Sequence, residues 1–190
     1  MVVGIPLVLF AKCGKSREAA RRELDKNGVS FSEEVFVDKV RRGDLETVKL
    51  FLAAGMDPET KDQTGATVLM DSVILNDTRV MEVLLSNGAQ VNARRSNGST
   101  ALHFAALVGN FESARLLVRK GADVNASNND GETPLMIAAL KGYPENVTLL
   151  LDAGAKLDVK DNRGETPLRH AIERNHTEVV KLLKSAGAKE

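Results

Sequence analysis

Few residues of this chain could act chemically: Gly14-Lys15-Ser16, a single cysteine at Cys13, the histidines His103, His170 and His176, and Asp71, an acid inside an apolar helical pattern. Gly14-Lys15-Ser16 follows an apolar, strand-like run and opens a predicted helix, which is the setting of a phosphate-binding loop. Such a loop needs a glycine five residues before Gly14 to bend the backbone around the phosphates, and Leu9 stands there instead. The pattern also offers no parallel sheet on which to build the rest of a nucleotide site. None of the histidines falls into His-Glu-x-x-His or another compact metal spacing. His170 and His176 are expected in solvent. Asp71 is one acid without a base, so it reads as a local polar contact rather than half of a catalytic pair. These residues predict no catalysis, no metal and no cofactor.

The elements that carry them are set by an aliphatic composition. Of 190 residues 43% are hydrophobic but only 4% aromatic, and tryptophan is absent, so the core must come from Leu, Val and Ala, which favours helices. Lys plus Arg equal Asp plus Glu at 26 each, which leaves no net field to draw nucleic acid or an anionic membrane. With one cysteine there is no internal disulfide. The apolar run Val2 to Ala11 would rise about 15 Å as a helix, roughly half the hydrocarbon thickness of a bilayer, and cannot span it. It resembles a bacterial lipoprotein leader ending at Cys13, although no Lys or Arg precedes Val2 and Lys12 stands where such leaders have a small residue. Residues 1–15 are therefore read as an apolar leader or extension, with Cys13 as a candidate lipidation site and membrane contact only if that cysteine is lipidated. The cytoplasm is the favoured location and a lipid-anchored place in the cell envelope the alternative.

Beyond that segment the chain repeats itself every 33 residues. Gly65, Gly98, Gly131 and Gly164 form one phase and Gly55, Gly88, Gly121, Gly154 and Gly187 another, with Thr67, Thr100, Thr133 and Thr166 following the first at a constant offset. Each unit reads as turn, helix, turn, helix. The threonine is a helix N-cap, Pro134 and Pro167 occupy the first helical position, Gly109 stops a first helix that begins at Leu102, and Gly121 caps a second that runs from Phe111 to Lys120. A 33-residue helix pair is too small to fold alone, so each unit must bury its apolar face on the next, and the end units need polar outer faces. Lys184 stands where Leu85, Val118 and Leu151 stand earlier and marks a C-terminal cap. Asp38 and Lys39, with Val48, Phe51 and Leu52 turned inward, mark an N-terminal cap whose first helix Ser32 can cap, with Phe31 and Phe36 as a hydrophobic staple. A preceding helix, Ser16 to Asn27, is an accessory element carrying Ala20 and Leu24 inward.

Asp130-Gly131-Glu132-Thr133-Pro134-Leu135 with Leu149-Leu150-Leu151-Asp152-Ala153-Gly154-Ala155 resembles an ankyrin repeat, and Asn97-Gly98-Ser99-Thr100-Ala101-Leu102-His103 and Gly164-Glu165-Thr166-Pro167-Leu168 repeat the likeness. The resemblance implies an all-α ankyrin-repeat solenoid of stacked helix-turn-helix units with β-turn or hairpin loops. The divisions expected are an accessory capping helix at 16–30, a degenerate cap repeat at 31–61, repeats at 62–94, 95–127 and 128–160, and a C-terminal cap repeat at 161–190. Val68 and Ala101 depart from the family's proline and Arg95 from the Asp that opens the turn, which should loosen those turns. The family likeness further implies a histidine at His103 that hydrogen-bonds the turn, and a concave face lined by the ends of the first helices: Ile74 and Leu75, Leu107 and Val108, Leu140 and Lys141, Glu173 and Arg174. A solvent-exposed apolar row there marks a partner surface; the other reading of the same row is packing between helices. The expected function is a non-enzymatic protein–protein interaction module, an adaptor, scaffold or inhibitor, that binds a protein partner as a monomer, with no nucleic acid and no small-molecule substrate. Its expected contacts are Met70, Ile74, Leu75, His103, Leu107, Val108, Leu140 and Lys141, together with Ser99, Glu132 and Arg163 at the turn tips.

Overall fold

The computed structural model describes residues 7–189, with side chains over 16–189. Among these residues lie eleven α-helices: α1 (Leu7–Lys26), α2 (Glu33–Arg41), α3 (Leu45–Ala53), α4 (Val68–Ser72), α5 (Thr78–Ser86), α6 (Ala101–Val108), α7 (Phe111–Arg119), α8 (Pro134–Lys141), α9 (Pro144–Asp152), α10 (Pro167–Glu173) and α11 (Thr177–Ser185). No strand forms among them; the one isolated β-bridge is Lys61 with Thr67. Even-numbered helices α2 to α10 stack on one another as an inner layer, and α3, α5, α7, α9 and α11 stack as an outer layer.

The period sets the core. Leu69, Leu102, Leu135 and Leu168 are buried along the inner layer, and Leu84, Leu117, Leu150 and Leu183 along the outer one. Ser72, Ala105, Ala138 and Ala171 form a third buried row, small enough for neighbouring helices to approach closely. The inner helices α4, α6, α8 and α10 each begin at a threonine in extended backbone; the hydroxyls of Thr67, Thr133 and Thr166 accept from the backbone N–H groups of Met70, Met136 and Arg169 at 3.3–3.4 Å. The inner helices end at a left-handed residue. Gly109 and Gly142 serve in two units, and Asn76 (φ 51°) and Asn175 (φ 59°) at the same place in the units on either side. These two are the only non-glycine residues with positive φ among the described residues, and asparagine is the side chain that tolerates it best.

The ends differ from the sequence expectation in part. Lys184 is exposed where Leu85, Val118 and Leu151 are half-buried by a following unit. Ser32 caps α2, accepting from the Val35 N–H, but Phe31 and Phe36 do not staple directly: both rings meet Phe51, at 5.5 and 5.3 Å between centroids. Over this cap lies α1, with Ala20 and Leu24 buried, Arg21 above the Phe31 ring and its Nε donating to the Ala54 carbonyl. The helix begins at Leu7 rather than Ser16, so Gly14-Lys15-Ser16 lies inside it and the run before it is helical instead of strand-like. A mid-helix backbone has its N–H groups bonded internally and offers none to a phosphate, which removes the last feature of a phosphate-binding loop. Residues 1–6 and the Cys13 side chain, on which the leader and lipidation readings fall, lie outside the described residues. No helix among the described residues is long and apolar enough to cross a membrane.

Candidate partner-binding surface

The surface in question is built where the inner helices end. In the unit that carries α4 and α5 the α-helix gives way after Ser72 to a 3-10 turn, Val73–Leu75, closed by Asn76. Ser72 Oγ donates back to the Leu69 carbonyl at 2.7 Å, a local bond that competes with the helical ladder. The carbonyls at this helix end are also met by the next unit: Asn110 Nδ2 donates to the Val73 and Ile74 carbonyls at 2.6 and 3.2 Å, and Ser113 Oγ to Val73 at 3.4 Å. Two units on, His176 Nε2 repeats the bond of Asn110 by donating to the Leu140 carbonyl at 3.1 Å. The helix ends are thus fixed from outside, which holds their side chains in a defined place.

Three of those side chains face solvent. Ile74 is 60% exposed, Leu107 44% and Val108 38%, and they are the exposed large hydrophobics of the described residues. Leu75 and Leu140, in the same row, are half-buried, Leu75 lying over Gly43, so the row divides between contact and packing. Lys141, Glu173 and Arg174 continue it as exposed charges. Left-handed Gly109 and Gly142 are obligatory beneath it, because a Cβ there would sit within 3 Å of the Tyr143 and His176 rings.

The remaining expected contacts divide by burial. Met70 and His103 are each 1% exposed and offer a partner no area, a correction to their place in the concave set. Both occupy the third position of an inner helix, which points under the turn of the following unit. His103 Nδ1 accepts from the Thr100 N–H at 3.1 Å, so that nitrogen carries no proton, and Nε2 donates to the Glu132 carbonyl at 3.1 Å across the seam between units. Burial holds this imidazole below its ordinary pKa and hence neutral. Thr100 Oγ lies 2.9 Å from the same nitrogen, but the pair is sealed within the cap and is no nucleophile and base. Ser99 is buried and Glu132 half-buried, its carboxylate accepting from Asn128 Nδ2; of the three turn-tip residues only Arg163 stands fully in solvent.

The Asp and Asn residues that open the turns work on their own backbone. Asp62 Oδ1 accepts from the N–H groups of Thr64 and Ala66, Asn128 from those of Asp130 and Glu132, and Asp161 from those of Arg163 and Glu165. At the fourth position Arg95 can accept nothing, so Asn97 Oδ1 takes the Ser99 N–H and Arg95 Nε reaches back to the Thr64 carbonyl. One of the two turn bonds is thus recovered by Asn97, and Arg95 anchors instead on the preceding turn.

Two polar pairs occupy the place of Phe104 and Ile137. In the first repeat Asp71 is buried and shares the Arg41 guanidinium of the cap with Asp62, at 3.0 Å for its own bond, while its other oxygen is buried without a partner. Burial raises the Asp71 pKa, with Arg41 offsetting it in part. Asp62 is held low despite burial by the Thr64 hydroxyl, two backbone N–H groups and Arg41. In the last repeat His170 is buried rather than solvated, with Nε2 3.0 Å from Asp161 and Nδ1 3.5 Å from Glu165. These three side chains come close enough to suggest a metal site. The ring turns its two nitrogens to different carboxylates, bonding Asp161 while the facing Glu165 oxygen is buried without a hydrogen-bond partner, and an ion lies along one nitrogen's lone pair, so the three side chains do not converge on one ion position.

A stack of helix pairs joined by turns, with its polar atoms spent on its own seams and one apolar row left outside, defines a helical repeat protein that works by contact. The family model for ankyrin repeats, in three copies, matches residues 37–128 and 121–190, and the chain belongs to the ankyrin-repeat family. A comparison with curated proteins gives no match. Ankyrin repeats are in general protein–protein interaction modules without catalytic activity.

Proposed function

We propose that the chain captures a protein partner on the row Ile74, Leu107 and Val108, with Leu75, Leu140 and Lys141 at its borders and Arg163 reaching from the last turn. The exposure of three large aliphatic side chains at equivalent ends of neighbouring inner helices carries this reading. Neither turn geometry nor core packing calls for apolar residues there, and a contiguous apolar patch on an otherwise polar surface is what a partner desolvates. Because Asn110 and Ser113 fix the backbone beneath, binding orders little of the receptor.

The test is a double change, Ile74→Glu with Leu107→Glu. Both sites are exposed, so the melting free energy is expected to stay within about 1 kcal/mol of the parent. Capture of partners from the source cells, read by mass spectrometry against the parent protein, is expected to be lost. A stable double variant that retains the same partners overturns the assignment of this surface.

A further inference from the structure

Resting on that reading of the surface, we infer that its occupant is a protein segment that is apolar at one end and acidic at the other, its acidic end lying over Lys141 and Arg174. The observation is the order of free and paired charges along the row. On the cap side the cations are already neutralised: Arg41 is held between Asp62 and Asp71, and Arg42 pairs with Asp38 at 2.9 Å. The apolar stretch follows, and beyond it Lys141 and Arg174 stand exposed, with no ion pair among the described residues. Glu173, next to Arg174 in the chain, is engaged by Arg169 at 3.0 Å.

Consecutive inner helices pack directly on each other, with the axes of packed helices about 8–10 Å apart, which places Lys141 and Arg174 on neighbouring units at the same end of the row. Exposed charges are screened beyond about one Debye length, ~8 Å at physiological salt, so each cation acts on the residue laid against it and little on the rest of a partner. A carboxylate there completes a pair that the fold leaves open, and a Lys or Arg meets like charge. The chain as a whole is neutral, so the preference is local to this end of the row.

The experiment pans the full chain against a displayed library of random 16-residue peptides and measures the winners by fluorescence anisotropy. Enriched peptides are expected to join apolar residues to a net negative end. Their affinity is expected to fall about tenfold or more in the double variant Lys141→Glu with Arg174→Glu, and to return when the peptide's acids are exchanged for lysines. An unchanged melting curve shows that the charge reversal acts on binding alone. Neutral or basic winners, acidic winners indifferent to the reversal, displacement of them by a single-stranded oligonucleotide at equal affinity, or no enrichment at all overturns the inference. Winners that are lost with Ile74→Glu and Leu107→Glu yet indifferent to the charge reversal leave the surface standing and remove only its acidic preference.

Discussion

Met136 stands one unit after His103 in the same buried position, and its sulfur receives the Thr133 N–H at 3.4 Å as His103 Nδ1 receives that of Thr100. The sulfur has no second arm to cross the seam. His103→Met is therefore expected to fold and to lose chiefly the bond to the Glu132 carbonyl, about 1–2 kcal/mol at pH 7.5. The pH dependence has a definite sign. The folded pKa of His103 lies below its unfolded value, near 6.5, so the unfolded chain takes up a proton first and the parent loses stability as pH falls below about 6.5. The gap between parent and variant should narrow toward pH 5.5. Chemical denaturation at the two pH values checks this, and a constant gap would show that the ring is not held neutral. That a histidine bonds the turn at this position was legible in the sequence through the family resemblance. Its burial beyond reach of any partner was not, because the motif gives a residue's place in the helix but not the depth at which the next turn covers it.

Between elements, the seam from α2 to α4 depends on a polar contact where later seams use Phe104 and Ile137. Sequence pattern identifies Asp71 as an anomaly. It cannot identify Arg41, thirty residues away, as the group that answers it, nor show that one carboxylate oxygen goes unanswered. Asp71→Leu removes that oxygen, and Arg41 keeps Asp62 and its own access to water, so the variant is expected to be more stable than the parent by about 1–2 kcal/mol at pH 7. Because the folded pKa of Asp71 is raised, its penalty is present at neutral pH and vanishes as pH falls toward the ordinary carboxylate value. The gain should fade with it. Thermal unfolding at pH 7 and pH 4 measures both; a loss of stability at pH 7 would mean that the Arg41 bond outweighs the buried charge. The same limit of sequence reading explains Asn76 and Asn175. Period 33 carried from Gly109 points to both, but a 3-10 turn closed by a left-handed asparagine depends on Ser72 and Asn110 bonding the carbonyls, which only the folded stack brings together.

At the scale of the molecule, the glycine, threonine and leucine periods fix the stack almost entirely, because each unit sees only its neighbours and local pattern suffices. What the period does not encode is which side chains of a row remain outside: Ile74 and Leu75 are adjacent and chemically alike, yet Leu75 is half-buried over Gly43 and Ile74 is in water. The modularity is testable. Deleting Ser127 to Val159, one full period, brings matching leucine and alanine rows into contact, and the shortened chain is expected to keep a cooperative helical transition at a lower midpoint. Circular dichroism without a cooperative melt would contradict a nearest-neighbour stack.

The seams themselves are not equal. Glu59 receives the Gln90 N–H at 2.7 Å. Asn92 clasps Gly121 and Asp123, and Asn125 clasps Gly154 and Lys156, in each case with Nδ2 giving to a carbonyl and Oδ1 receiving an N–H. One period later the residue is Asp158, which has no amide to give, and the described residues hold no such clasp to the final unit. Seen as a mechanical object, the stack is a ratchet with its last tooth missing. Asn162 and His176 still bond the final unit to its neighbour, at the Asn129, Asp130 and Leu140 carbonyls. Without the clasp, however, the C-terminal pair α10 and α11 is expected to detach first when the chain is pulled between its termini, and force spectroscopy in which the cap yields first would contradict this.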